Sequence, residues 1–458
     1  MNIIILAAGM GKRMQSNLPK VLHPVAQKPM LHHVVDTVLK LSPQKLIIVI
    51  GHEAEQVKQS FEHYNQEKYK NIEIMWAYQE QQLGTGHAVM QCLPFMNNDT
   101  QTLILYGDVP LISVATLEKL IQNSKNNAGI LTAFYENPTG YGRILKQNDK
   151  VTHIVEEKDT NAEQKQITEI NTGIMCLPTS LLHTCLPNLS NNNAQGEYYL
   201  TDVIACAVKD NIEVVCSNPC LGNWETFGVN SKKQLTELER LYQQSLASDL
   251  LEKGVTIIDT NRIDIRGSLT VEQEVTIDIG CVFEGHVHLA QGVYIKPYCI
   301  IRDSYIGKDS IIESFSHIDN SHIESHGHIG PYARLRPNTK LAQNVKVGNF
   351  VELKNAHIND NSKVNHLSYI GDANIGKNVN IGAGVITCNY DGVNKHHTNI
   401  EDNAFIGSDC QLIAPVTVGE GATIGAGTTL TKDAPSQELT LSRAKQTTIS
   451  NWKRCVKE

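Results

Sequence analysis

Residues 400–430 read IEDNAFIGSDCQLIAPVTVGEGATIGAGTTL, and every sixth position is aliphatic: Ile400, Ile406, Leu412, Val418, Ile424 and Leu430. The same period runs through Ile329, Leu335, Leu341, Val347 and Leu353, and it extends from Ile277 to Leu430. A helical face repeats near 3.6 residues and a strand face near 2, so a period of six implies short strands joined by tight corners. Three such strands per coil make a triangular solenoid, each coil burying its aliphatic side chains inside. Steps of five, as from Ile301 to Ile306 and Ile318 to Ile323, are small enough for corners to absorb. Phe283 and Leu289 are in phase, whereas His286 and His288 interrupt the pattern, which places the solenoid's start only to within about one coil. The large break is Thr387–Thr398, between Ile381 and Ile400. A solenoid ejects such an insertion as a loop on one face, often the functional one.

With 458 residues the chain exceeds what one hydrophobic core supports, so at least two domains are expected. Hydrophobic content of 41% with 19% charged residues describes a soluble globular protein. A net charge of -8 argues against a general binder of nucleic acid or membrane surface. The eleven cysteines lack CxxC or zinc-ligand spacing and read as reduced thiols of a reducing cytosol. Met1-Asn2-Ile3-Ile4-Ile5-Leu6 has no basic residues before its apolar run, and the run is too short for a signal sequence or a membrane span. It reads as a buried first strand of a cytoplasmic protein.

Before about residue 230 the grammar changes to strand–helix alternation. Ile3–Ala7, Leu46–Ile50, Leu103–Tyr106 and Gly129–Tyr135 are the expected central strands. Met30–Leu41 carries Leu31, Val34, Val35 and Val38 at helical spacing, and Ser113 is placed to cap a helix over 114–124. The pattern predicts an α/β, Rossmann-like domain over 1–230, with ligands at the carboxyl ends of a mainly parallel sheet. A charged amphipathic helix over 231–253, with Leu235, Leu238, Tyr242 and Leu246 as its stripe, is the expected connector, stopped by Gly254. The parallel β-helix and a polar tail fill 254–458.

Leu6-Ala7-Ala8-Gly9-Met10-Gly11-Lys12-Arg13-Met14 follows the first strand directly. Glycines at a strand's carboxyl end let backbone N–H groups approach phosphates. The motif is neither GxxxxGK[ST] nor a complete dinucleotide fingerprint. Arg13 and Lys20 supply cations suited to a triphosphate, and Asp108 in Tyr106-Gly107-Asp108 is placed to hold Mg²⁺ or, equally, to cap the next helix. Lys20 alone reads as a solvated amine, and Glu156, in Glu156-Glu157-Lys158-Asp159, as part of a solvated face.

Taken together, Leu6-Ala7-Ala8-Gly9-x-Gly11-x-Arg13-Met14 with Pro19-Lys20 resembles the signature of sugar-nucleotide pyrophosphorylases. Gln79, Gln82-Leu83-Gly84-Thr85-Gly86, Tyr106-Gly107-Asp108, Gly140-Tyr141-Gly142-Arg143, Glu156, Asn171 and Gly228-Val229-Asn230 agree with it. With the hexapeptide half, the order resembles the bacterial family of bifunctional N-acetylglucosamine-1-phosphate uridylyltransferase/glucosamine-1-phosphate acetyltransferases. The resemblance covers all but the last dozen or so residues. It implies that Leu6, Ala7, Ala8, Gly9, Gln79, Gly84 and Thr85 hold the uridine nucleotide, with Gln82, Tyr106 and Gly107 at the same pocket. Arg13 and Lys20 would neutralise phosphates, Asp108 and Asn230 bind Mg²⁺, and Gly142, Glu156 and Asn171 hold the sugar. A phosphate monoester is already a competent nucleophile toward the α-phosphorus of UTP, so positioning and charge compensation suffice and no general base is needed.

In the second half, His366 lies beside the repeat positions, in Asn365-His366-Leu367-Ser368-Tyr369. A lone histidine is more often a surface or structural residue than a catalyst, and Tyr369 alone reads as a packing aromatic. The resemblance makes His366 the general base. An imidazole, with an unperturbed pKa near ~6.5, can relieve an amine of its proton near neutral pH. It also implies that Arg336, Lys354, Tyr369 and Asn380 bind glucosamine-1-phosphate, and that Ala383, Asn389, Tyr390, Ser408, Ala426 and Arg443 bind acetyl-CoA. The small alanines leave room for a pantetheine arm. Direct transfer to an amine needs no acyl-enzyme, so Cys388 is not required as a nucleophile, and His396-His397 read as solvated loop residues. Asn365 and Asn338 stand where the family commonly has glycine, and Ser368 where it has threonine.

The expected partners are therefore UTP, N-acetylglucosamine-1-phosphate, glucosamine-1-phosphate and acetyl-CoA. The resemblance further implies a left-handed β-helix assembled as a homotrimer, although the usual crossover rule favours right-handed turns. Two alternatives stay open at this stage: a pyrophosphorylase of other specificity with a structural or regulatory β-helix, and a non-enzymatic oligomerisation protein.

Overall fold

The apolar run after Met1 forms β1 (Asn2–Leu6), the centre of a nine-stranded sheet in the computed structural model, which describes residues 1–62, 74–96, 100–125 and 127–455. The last three residues of the tail lie outside the described residues. The other strands are β2 (Lys45–Ile50), β3 (Ile74–Tyr78), β4 (Gln101–Tyr106), β5 (Ala128–Phe134), β6 (Gly142–Gln147), β7 (Lys150–Val155), β8 (Glu169–Pro178) and β9 (Val214–Ser217). Their order is β9-β5-β8-β4-β1-β2-β3, with the β6–β7 hairpin attached through β6 to β8. Both neighbours of β1 are parallel to it, and Leu6 sits level with Val49 on β2 and Tyr106 on β4.

Each expected central strand is present, shifted by a residue or two. The β1 run is continuously apolar because both faces of the sheet are covered. Ile4 packs with Ile47, Val49 and Ile104 on one face, while Ile3 and Ile5 pack with Leu46, Ile48 and Leu103 on the other. Helix Met30–Leu39 buries Leu31, Val34, Val35 and Val38 completely. Helix Val114–Ser124 starts at Ser113, whose hydroxyl accepts from the Thr116 N–H at 3.2 Å. The chain leaves β1 toward β2 and β3, then returns to place β4 on the opposite side. That reversal opens a crevice at the carboxyl ends of β1 and β4, the usual ligand position of an open α/β sheet.

The chain divides into two compact units, Met1–Tyr242 and Gln243–Glu458, and the division falls within a 21-residue helix, Lys232–Glu252. Its first half buries Leu238 beside Met14, Met30 and Val229. Its second half buries Ala247 and Leu250 in the solenoid core, with Leu246 packed against them. Gln243, a polar position outside the expected stripe, is also buried. Its amide accepts from the Ile265 N–H at 2.7 Å and donates to the Ile265 carbonyl at 2.9 Å, so it pairs the open edge of the first long solenoid strand.

From Thr256 onward the second unit is a parallel β-helix whose strands stack coil on coil. Ile277, Ile295, Ile312, Ile329, Val347, Val364 and Ile381 lie in one in-register column, all buried. The five-residue steps do not disturb this: Ile301 pairs with Ile318 and Ile306 with Ile323, because both coils are shortened together. His286 and His288 do not break the pattern either. They lie in the continuous strand Cys281–Leu289, flanking Val287, which is buried with Phe283 and Leu289. The parallel strands agree with the left-handed β-helix expected of hexapeptide repeats. Corners place non-glycine residues at positive φ, and along one edge Tyr298, Phe315, Tyr332 and Phe350 stack with ring centroids 5.4, 5.0 and 5.3 Å apart. Such stacking offsets the cost of the left-handed backbone.

Candidate functional sites

The crevice of the first unit holds a cavity of about 640 Å³. Leu6, Ala7, Ala8 and Gly9 line it from the end of β1, Tyr106 and Asp108 from the end of β4, and Gln79, Gln82, Gly84 and Thr85 from beyond β3. Arg13 and Lys20 give it a cationic side, with the neutral Asn230 also lining it. Gln82 donates to the Ala8 carbonyl at 2.7 Å and Gln79 to the Gly84 carbonyl at 3.0 Å, which ties the Gly84 loop to the β1 loop. At Gly84, φ is +110° and a Cβ would meet the Tyr198 carbonyl oxygen at 2.6 Å, so glycine is required there.

Lys20 is not a solvated amine. Its ammonium pairs with the Asp108 carboxylate and donates to Asn230 Oδ1 at 3.1 Å, which brings together residues distant in sequence. Asp108 and Asn230 thus aim oxygens at one cation. Among the described residues no group of three or more His, Cys, Asp or Glu side chains is arranged around a metal.

Gly142, Glu156 and Asn171 do not line the cavity, although their neighbours Tyr141 and Thr172 do. The three sit together behind it: Asn171 on β8 pairs with Gly142 on β6, and a Cβ on Gly142 would lie 3.5 Å from Glu156 Oε2. Glu156 is not on a solvated face. Burial raises its pKa, opposed by the Thr201 hydroxyl, which donates to it at 2.9 Å. Asn171 is buried and accepts from the Gly173 N–H at 3.1 Å. Gly107 carries no cavity surface, since Leu31 and Val21 pack 3.2 Å from where its Cβ would stand. Burial also raises the pKa of the Tyr106 phenol. Gly228, from the Gly228-Val229-Asn230 motif, lines the cavity, as do Thr226 and Gln234, which have no signature in the sequence; Gln234 accepts from the Asn230 N–H at 2.8 Å.

In the second unit, backbone hydrogen bonds define a ladder along one edge. Asn349 O accepts from Leu367 N, His366 O from Gly384 N, Ala383 O from Asp409 N, and Ser408 O from Gly427 N, at 3.1, 3.2, 2.7 and 2.8 Å. Asn349, His366, Ala383, Ser408 and Ala426 are therefore equivalent positions on successive coils, although 25 residues separate Ala383 from Ser408 across the insertion. Arg443 closes the line, with its guanidinium 3.1 Å from where a Gly425 Cβ would stand. His366 is exposed at the end of strand Lys363–His366, and its carbonyl also accepts from the Ser368 hydroxyl at 2.8 Å.

Lys354 and Tyr369 lie on a different sheet from Asn380, which shares the sheet of Lys363 and His366, and Arg336 directly follows strand Arg334–Leu335 of the first of these sheets. Arg336 pairs with Glu352 at 2.9 Å, and Glu352 is level with Tyr369. The Lys354 pKa is lowered, chiefly by Lys395, a cation from the insertion that the sequence reading missed. Asp372 lies between these groups. Burial pushes its pKa up, but hydrogen bonds from Asn355 and Asn389 and the charges of Lys354 and Lys395 bring it below the usual range. Asn389 is buried on Asp372 and anchors the loop, whereas Tyr390 is exposed and donates to the Gly392 carbonyl at 2.6 Å. His396 and His397 are half-buried rather than solvated, and His396 pairs with Asp391 at 2.7 Å within the turn. Burial pushes the Cys388 thiol pKa up, which disfavours the thiolate a nucleophile needs.

The sequence matches the MobA-like NTP transferase domain over residues 3–254 and the bacterial transferase hexapeptide, in six repeats, over residues 397–432. Fold and sites thus define a nucleotidyltransferase joined to a hexapeptide-repeat transferase. The bifunctional protein GlmU of Janthinobacterium sp. (strain Marseille) is 58% identical, covering 100% of this chain and 99% of its own. Those of Herminiimonas arsenicoxydans and Cupriavidus metallidurans are each 56% identical at the same coverage. The chain belongs to the GlmU family, and it is a bifunctional enzyme, a nucleotidyltransferase and an acetyltransferase. Among the described residues no helix is long and apolar enough to cross a membrane.

Proposed function

We propose that the second unit N-acetylates glucosamine-1-phosphate from acetyl-CoA and the first couples the product to UTP, so that the chain makes UDP-N-acetylglucosamine. The carrying observation is the ladder His366–Ala383–Ser408–Ala426 with Arg443 at its end. Coils stack at ~4.8 Å, so it offers an extended track, roughly 15 Å long, beside an imidazole. A long, thin thioester donor ending in phosphates fits that shape, with Arg443 on a phosphate and Asn389 and Tyr390 beside the acyl end. A merely structural β-helix has no need of such a track.

In the acetyl transfer, the amine nitrogen attacks the thioester carbonyl, the C–N bond forms and the C–S bond breaks. Coenzyme A leaves as its thiolate, and His366 Nε2 takes the amine proton. Arg336, Lys354 and Lys395 compensate the sugar phosphate, with Tyr369 and Asn380 contacting it. Because Asn380 lies on a different sheet from Lys354 and Tyr369, we place the complete site between chains of a homotrimer.

In the uridylyl transfer, the sugar-phosphate oxygen attacks the α-phosphorus in line and pyrophosphate leaves. Leu6–Gly9, Gln79, Gln82, Gly84 and Thr85 hold the nucleotide, and Tyr106 and Gly107 shape the β4 end. We assign the sugar to the side of the cavity backed by Gly142, Glu156 and Asn171, where their neighbours Tyr141 and Thr172 reach the surface, and Arg13 and Lys20 offset phosphate charge. Asp108 and Asn230 fit a divalent ion, and Mg²⁺ suits one carboxylate completed by substrate phosphates. Such an ion would neutralise charge developing on the leaving pyrophosphate. We assign catalysis of this step to 1–230, the connector to 231–253 and acetyl transfer to 254–458, in a cytoplasmic enzyme.

Two assays test this reading. Thiol release from acetyl-CoA should depend on glucosamine-1-phosphate. Pyrophosphate release from UTP should depend on N-acetylglucosamine-1-phosphate and Mg²⁺. Folded protein that fails the first is not this acetyltransferase, and folded protein that fails the second is not this uridylyltransferase.

A further inference from the structure

We propose that Asn349 is a positioning residue that holds His366 in the tautomer leaving Nε2 free to accept the proton; this rests on His366 being the base of the acetyl transfer. His366 is exposed, so packing does not fix its ring. Its Nδ1 lies 3.0 Å from Asn349 Oδ1, and Asn349 is the residue level with it on the preceding coil. The Asn349 carbonyl also accepts from the Leu367 N–H at 3.1 Å, so one residue grips both the ring and the backbone beside it. The strands are close here because residue 348 is glycine: a Cβ would stand 1.9 Å from the Asn365 carbonyl oxygen.

A neutral imidazole carries one N–H and one lone pair. An amide oxygen can only accept, so the shared proton belongs to Nδ1 and the lone pair to Nε2. An amide does this without adding charge, whereas a carboxylate in its place would favour the protonated ring. The charged and titratable groups on the elements packed around His366 are Lys346 on the strand of Asn349, Lys363 on its own strand, and Glu352 and Tyr369 beyond the corner; the next coil presents the neutral Asn380.

Three measurements test this in the full-length enzyme. Asn349→Ala should lower kcat for acetyl transfer about tenfold, the size of one lost hydrogen bond, with KM for both substrates within about twofold. Asn349→Asp should restore the rate at high pH and move the acid limb of the kcat/KM profile upward. Magic-angle-spinning ¹⁵N spectra of histidine-labelled protein, with the His366 signals assigned by their loss in His366→Gln, should show the Nδ1–H form in the natural protein and a mixture in Asn349→Ala. A wild-type rate in Asn349→Ala, an unmoved acid limb in Asn349→Asp, or an Nε2–H ring in the natural protein would each overturn the proposal. Natural protein inactive in acetyl transfer would instead remove the role of His366, an outcome visible before any variant is made.

Discussion

Lys20→Ala separates two roles that the nucleotide pocket assigns to one place. The Lys20 ammonium holds the Asp108 carboxylate and Asn230 Oδ1, the same two oxygens proposed for the divalent ion, and both charged side chains are only 14% exposed. At an effective dielectric of ~20 and a separation of ~4 Å, the direct attraction is about 4 kcal/mol. Desolvation and side-chain ordering reduce the net value to about 1–2 kcal/mol. A metal ion entering the nucleotide-free pocket must displace the ammonium against that amount. Lys20→Ala should therefore bind Mn²⁺ about tenfold more tightly than the natural protein in the absence of nucleotide. Its uridylyl transfer should fall by about 10²-fold or more, because a cation facing the phosphates is gone. Electron paramagnetic resonance titration of free Mn²⁺ gives the first quantity and pyrophosphate release the second. Unchanged or weaker Mn²⁺ binding would refute the competition for Asp108 and Asn230, and an undiminished rate would refute the role of Lys20 in charge compensation.

The two sites should fail separately: His366→Ala loses acetyl transfer and keeps uridylyl transfer, Asp108→Ala does the reverse, and loss of both in either folded variant contradicts independent sites. Acid should destabilise the first unit through His32 and His33, whose pKa values burial, then the nearby Lys28 charge, lowers to about 4. Since an unfolded histidine titrates near ~6.5, the unfolded chain binds more protons between ~6.5 and ~4; stability is intact above this window and lost as pH falls through it, by up to ~3 kcal/mol per group. His33→Gln should flatten the fall of Tm from pH 7 to 4.5, and a slope equal to the natural protein's would count against this account. Glu225, fully buried, accepts from Ser113 N at 2.9 Å, Leu221 N at 2.6 Å and the Thr116 hydroxyl. Glu225→Ala strands those two backbone donors at about 1–3 kcal/mol each. Its Tm should drop by about 10 °C, and a change within about 2 °C would show that water or rearrangement satisfies them.

Much of the fold was legible because burial leaves a periodic trace. The solenoid's six-residue rhythm survives in buried columns such as Ile301–Ile318, and the central strands could be read from runs covered on both faces. The β6–β7 hairpin and the antiparallel β8 were not read, because Gly142–Gln147 and Lys150–Val155 mix polar and apolar residues without a clean period. Glu156 reads as solvated in its charged run; only the fold shows Thr201 beneath it. Lys395, which most strongly lowers the Lys354 pKa, has no local signature because the two meet through a loop.

The sequence by itself determined the two-part architecture, the α/β first half, the solenoid and the family, since periodicity and contiguous motifs are properties of neighbouring residues. Tertiary structure alone decided what meets across distance: Lys20 with Asp108 and Asn230, Asn171 with Gly142, and Asn349 with His366. It also decided that His366, Ala383, Ser408 and Ala426 fall on one line despite unequal spacing. The physical reason is that a coil's register is set by its buried aliphatic columns and backbone hydrogen bonds. An insertion that leaves those intact is expelled to the surface, while the residues before and after it stay in line.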